Sequence, residues 1–197
     1  DVWSGTTVVG PRSVLSVQPM ERQPMWHRAD GGLVVMTDRP ELRINEQDWS
    51  ELTLEAFPAQ ANRAPMAAME TTRSVYTQDM QARYNKDEAV RTDLLMRCDG
   101  MGRVAFEISE SVDGSARAWV IRVHLYPGQH VAEAVMDGVA LADASVQHLA
   151  PLSTEETRQE YFPFGGAGSR PPANAGDIAQ IKLPPLPHAR SLVLTIT

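Results

Sequence analysis

Carboxylates are the commonest chemistry-bearing side chains in this sequence: 25 Asp and Glu against 18 Lys and Arg in 197 residues. A close pair of them, one protonated and one ionised, can do general acid–base work. Their settings point elsewhere. Asp99, Asp113 and Asp137 each precede a glycine and punctuate turns, and most others lie on the polar sides of alternating segments. Histidine offers no metal set. Pro127-Gly128 turns the chain between His124 and His130, while His27, His148 and His188 are isolated. No zinc-type ligand spacing results. Cys98 shares an apolar face with Leu94 and Met96 and reads as a buried, inert thiol. A single cysteine excludes an intrachain disulfide and a Cys-based cluster. Gly165-Gly166-Ala167-Gly168 lacks the Lys and the following helix of a phosphate loop. These residues predict no catalytic centre, no metal and no cofactor.

One site class remains. Saccharide rings present apolar C–H faces, which flat aromatics with polar neighbours suit. Trp49 follows Gln47-Asp48 just ahead of a strand pattern, and Tyr161, Phe162 and Phe164 flank a Gly/Pro-rich stretch. Trp49, Tyr161 and Phe164 are therefore the carbohydrate-binding candidates. Trp119 sits on an alternating apolar face and belongs to the core.

The elements that must position these groups have a period of two. Val104, Phe106 and Ile108 alternate with polar or small residues in 102–110, as do Trp119, Ile121, Val123 and Leu125 in 118–126. Leu52, Leu54 and Ala56 alternate with Glu51, Thr53 and Glu55, and Leu192, Leu194 and Ile196 close the chain in the same way. Such alternation predicts half-buried strands. The apolar run 32–37 predicts a strand buried on both faces. Asp137-Gly138 between two short apolar runs predicts a type I′ hairpin, because both central residues need positive φ. Ser153–Glu160 starts with a capping cluster that predicts one short helix. Many short strands with frequent turns indicate an all-β protein, read here as two antiparallel β-sandwich domains in tandem. The break is placed at the Pro- and Ala-rich stretch after Phe57, giving a proximal domain 1–58, a linker 59–70 and a distal domain 71–197. Residues 162–176 read as a long loop.

A formal charge of −7 argues against a nucleic-acid partner. No apolar run approaches the roughly 18–20 residues of a membrane-spanning helix, so no membrane partner is expected.

The order of motifs resembles the C-terminal β-domains of family 31 glycoside hydrolases, the α-glucosidase family. Asp1-Val2-Trp3-Ser4-Gly5 is similar to the end of the Trp-x-Asp-x-Trp-Ser/Thr-Gly segment by which that family leaves its catalytic barrel. Gly10, then Pro19-Met20-Glu21-Arg22-Gln23-Pro24, then Arg28-Ala29-Asp30-Gly31-Gly32 follow in the family's order. The later part resembles the family's distal domain. Tyr76 and Tyr84, the 118–126 strand, Pro127-Gly128 and Val135-Met136-Asp137-Gly138 keep the expected sequence of features.

The resemblance implies that the catalytic aspartates lie on a (β/α)8 barrel outside these residues, and no position here matches either aspartate motif. It implies that Trp3 and Trp26 pack at the interface with that barrel, the expected partner. It implies α-glucosidic bonds in a glucan or oligosaccharide as the parent protein's substrate, and a secreted or endomembrane-lumen location. With the truncated start at Asp1, the chain is expected to be the accessory tail of a retaining α-glycosidase, inactive alone. A carbohydrate-binding module and a non-enzymatic assembly subunit are the alternatives.

Overall fold

The computed structural model describes residues 13–17, 25, 32–36, 49–58, 68–77, 90–110, 117–142, 145–150, 158–162, 176–183 and 190–197. Among them run thirteen strands and no α-helix. The first six are β1 (Ser13–Val17), β2 (Gly32–Met36), β3 (Glu51–Phe57), β4 (Ala68–Thr77), β5 (Val90–Asp99) and β6 (Arg103–Glu110). Then follow β7 (Ala118–His124), β8 (Val131–Met136), β9 (Val139–Ala140), β10 (Val146–Leu149), β11 (Arg158–Phe162), β12 (Ile178–Leu183) and β13 (Arg190–Ile196).

Two large sheets form a sandwich, as the alternating pattern predicts. One has five strands in the order β10-β12-β7-β3-β2, the other six in the order β4-β5-β6-β13-β8-β9. A separate antiparallel pair joins β1 to β11. Among the described strands every pairing is antiparallel except β3 with β7, which runs parallel from Glu51↔Ala118 to Ala56↔Val123. The core lies between the large sheets. Leu52 and Leu54 from β3, Trp119 and Ile121 from β7, and Ile181 from β12 meet Leu94, Met96, Phe106 and Leu194 from the six-stranded sheet. Phe106, Met96, Ile121 and Ile181 are all at most 1% exposed. Cys98 is part of this core, as its apolar neighbours predict.

The hairpin at Asp137-Gly138 takes the predicted form, with φ of 49° and 82°. The Asp137 carboxylate accepts the Ser191 N–H at 3.0 Å and pairs with Arg190, tying the hairpin to β13. At the β5–β6 turn the Asp99 carboxylate accepts the N–H groups of Met101 and Arg103 at 2.7 and 3.0 Å.

Several expectations change. Arg158–Glu160, assigned above to a helix, are strand residues of β11, because β1 offers them a ladder from Val17↔Arg158 to Ser13↔Phe162. Residues 153–157 lie outside the described set. The run 32–37 is not buried on both faces: Gly32 and Leu33 are buried and Val34 to Met36 are intermediate. The reason is that β2 is an edge strand. β4 starts at Ala68, inside the stretch read as linker. All three described strands of 1–58 pair with one another or across the expected break: β1 with β11, β2 with β3, and β3 with β7. The five-stranded sheet therefore takes strands from both sides of that break, and a parallel neighbour leaves no local trace in a sequence.

Candidate functional site

The two sheets turn very different outer faces away from the core. On the six-stranded sheet, Arg97 bridges Glu70 and Glu107, each at 2.8 Å, and all three side chains are about half exposed. Such a solvated ladder, screened by water and salt, contributes little to stability. On the five-stranded sheet, several residues out of phase with the core are buried too. Thr53 is 1% exposed, Val120 3%, Glu55 4%, Gln180 6% and His124 7%.

A row of polar side chains crosses that face, from buried Glu55 to exposed Gln147. Register places Glu55 opposite Arg122, Arg122 opposite Gln180, and Gln180 opposite Gln147, on four successive strands. At about 4.8 Å per strand step the row spans about 14 Å. The contacts run its whole length. Gln180 Nε2 donates to Gln147 Oε1 at 3.0 Å, and Arg122 Nε donates to Gln180 Oε1 at 2.9 Å. Arg122 Nη1 donates to Glu55 Oε1 at 3.1 Å. His124, two residues further along β7, brings Nε2 to within 2.8 Å of Glu55 Oε2. Its ring stacks on Phe57, with centroids 4.2 Å apart and planes 17° off parallel.

The chemistry of this cluster follows from its partners. Each Glu55 oxygen already accepts a hydrogen bond, and the carboxylate has a guanidinium counter-charge. Burying a carboxylate costs several kcal/mol unless it is paired and hydrogen-bonded, and Glu55 is both. The row therefore acts as a polar strap between β3 and β7. Retaining glycosidic chemistry needs two carboxylates about 5–5.5 Å apart; among the described residues this network gathers one, Glu55.

Of the residues singled out from sequence, Trp49 is half-buried and packs against the core cluster. Tyr161 lies in β11 with its backbone opposite Val14. Trp3, Trp26 and Phe164 lie outside the described residues. Sequence reading missed Glu55, Arg122, His124 and Gln180 as a group. The only available signal was a Gln, an Arg and a His inside otherwise apolar strands, and it becomes legible only once strand order is known. His124 and His130 do not meet. His130 instead faces Thr197, with Nε2 3.1 Å from the hydroxyl and backbone bonds in both directions.

No family model matches the sequence, and no curated protein does. Among solved structures the chain is similar to the α-1,4-glucan lyase of Gracilariopsis lemaneiformis, captured as a covalent intermediate complex with 5-fluoro-idosyl-fluoride. The two share 14% identity at a TM-score of 0.40, over 74% of this chain and 13% of the lyase chain. The chain thus corresponds to a small part of that enzyme's length.

Proposed function

We propose that this chain is a non-catalytic β region of a family 31-like α-glycosidase, supporting a catalytic barrel carried elsewhere in the same protein. The observation that carries the reading is the order of motifs: Trp3-Ser4-Gly5, Pro19 to Pro24, Arg28 to Gly32, the β7 strand with Pro127-Gly128, and the Val135 to Gly138 hairpin. Positive φ at Asp137 and Gly138 is the conformation an Asn/Asp-Gly hairpin of that kind requires. The polar row suits a supporting role, since its groups are spent on one another.

The test has two arms. Reading the coding sequence upstream of Asp1 is expected to reveal a (β/α)8 barrel with two aspartate motifs; an unrelated upstream domain, or a start codon directly before Asp1, overturns the reading. The purified 197-residue chain is expected to leave nitrophenyl α-glucoside intact. Turnover by that chain, retained on repurification, removes the word non-catalytic.

A further inference from the structure

Among the described strands, β4 and β9 form the open edges of the six-stranded sheet, and β2 and β10 those of the five-stranded sheet. An open edge offers unpaired N–H and C=O groups to any strand that meets it, and a short edge strand offers few. β9, β10 and β2 are two, four and five residues long. β4 has ten, about 34 Å of strand. All of them, Ala68 to Thr77, pair with β5 on the inner side. β2 lies near β4 but is not hydrogen-bonded to it.

Register fixes the two faces of β4. Met69, Thr71, Arg73 and Val75 stand opposite Cys98, Met96, Leu94 and Thr92, all at most 4% exposed, and so form the row turned to the core side. Met69 and Val75 are half-buried and pack against the core cluster, and Thr71 is half-buried as well. Arg73 is the exposed member of the row, with Nη1 3.5 Å from the carbonyl oxygen of its own neighbour Thr72. Among the described residues no carboxylate pairs with it. Glu70 cannot neutralise it, because Glu70 lies on the opposite face and accepts from Arg97 at 2.8 Å.

Apart from that arginine, β4 is suited to pairing with itself. Two β4 strands joined edge to edge and antiparallel must keep like rows on like faces, because successive side chains alternate. The longest such ladders are Ala68–Tyr76 centred on Thr72, and Met69–Thr77 centred on Arg73. The first sets Met69 against Val75 and Thr72 against Thr72 of the second copy, an apolar pair and a Thr–Thr pair that both favour pairing. It also brings the two Arg73 residues to diagonal positions, about 7–8 Å apart. The second ladder sets them directly opposite. Either joint carries two like charges into a row whose other members are half-buried, where an unpaired cation loses water without compensation. We propose that Arg73 keeps the β4 edge from pairing with β4 of a second copy of this chain, by holding a charge in the row that such pairing would bury.

Sedimentation and light scattering of the full chain across a concentration series test this, alongside hydrogen exchange of the β4 amides. Arg73→Val is expected to self-associate at least about tenfold more tightly than the parent, with slowed exchange across 68–77 at high concentration. Thr72→Val places the same side chain on the same strand but on the other face, and is expected to associate as the parent does. Arg73→Lys keeps the charge and is expected to do the same. Parental association in Arg73→Val overturns the proposal. So does an equal gain in Thr72→Val or Arg73→Lys, or a gain in Arg73→Val without protection of β4. Should Arg73→Val not stay in solution, Arg73→Thr decides by the same criteria.

Discussion

Glu55 on β3 and His124 on β7 meet at 2.8 Å on a sheet face turned away from the hydrophobic core, and both are more than nine-tenths buried. They stand 69 residues apart in the chain. The pair spans the only parallel pairing among the described strands, and Arg122 shares the same carboxylate at 3.1 Å. A cation, a ring and a carboxylate thus bind a strand from the first part of the chain to the strand at the centre of the five-stranded sheet.

Removing the carboxylate charge takes the Glu55 counter-charge, 3.1 Å away, from Arg122. Glu55→Gln is expected to lower stability by about 2–3 kcal/mol, since charged hydrogen bonds and half-broken buried pairs cost on that scale. Urea unfolding should show a lower midpoint with an unchanged slope. Arg97→Ala, which breaks the exposed Glu70–Arg97–Glu107 ladder, should lower the midpoint far less, with the difference shrinking in high salt. Equal losses for the two variants would contradict the contrast drawn between the two outer faces.

Two glycines with positive φ should behave differently. At Gly138 φ is 82° and an added Cβ meets nothing within 4 Å, so only conformation opposes a side chain. Gly138→Ala is expected to cost about 1–2 kcal/mol. At Gly102 φ is 101° and an added Cβ would lie 2.4 Å from the Ile196 carbonyl oxygen. The Ile196 N–H also donates to the Gly102 carbonyl at 2.7 Å, so the end of β13 cannot move aside without losing that bond. Gly102→Ala is expected to cost more than about 3 kcal/mol. Thermal unfolding of the two variants side by side checks the order.

Acid should weaken the β5–β6 turn in a defined direction. The Met101 and Arg103 N–H groups, in that order, hold the Asp99 carboxyl below its ordinary value against a small opposing effect of desolvation. A depressed folded-state value means that the folded protein binds fewer protons than the unfolded chain. The resulting stabilisation is present above the unfolded value of about 3.9 and is lost as pH falls through the folded value. Asp99→Asn is therefore expected to be less stable than the parent near neutrality, with the gap closing as pH falls below about 4. Urea midpoints across the acid range measure this, and a gap that widens on acidification would refute it.

Local pattern determined much of this protein. Period two placed Phe106 and Ile108 in β6 and Trp119, Ile121 and Val123 in β7 on core-facing positions, because successive strand side chains must point to opposite faces. Asp137-Gly138 announced its own turn, since positive φ at two successive positions admits few other residues. The Cys98 thiol was legible as core from Leu94 and Met96 beside it. Only the tertiary structure decided what lies on the other side of each strand. Glu51, Thr53 and Glu55 alternate identically with Leu52, Leu54 and Ala56, yet Glu51 is exposed while Thr53 and Glu55 are buried. Alternation says which face a residue takes, not what covers it. The parallel neighbourhood of β3 and β7 likewise rests on contacts between residues far apart in the chain. Those contacts turned a Glu, an Arg, a His and a Gln from ordinary polar strand residues into one connected network.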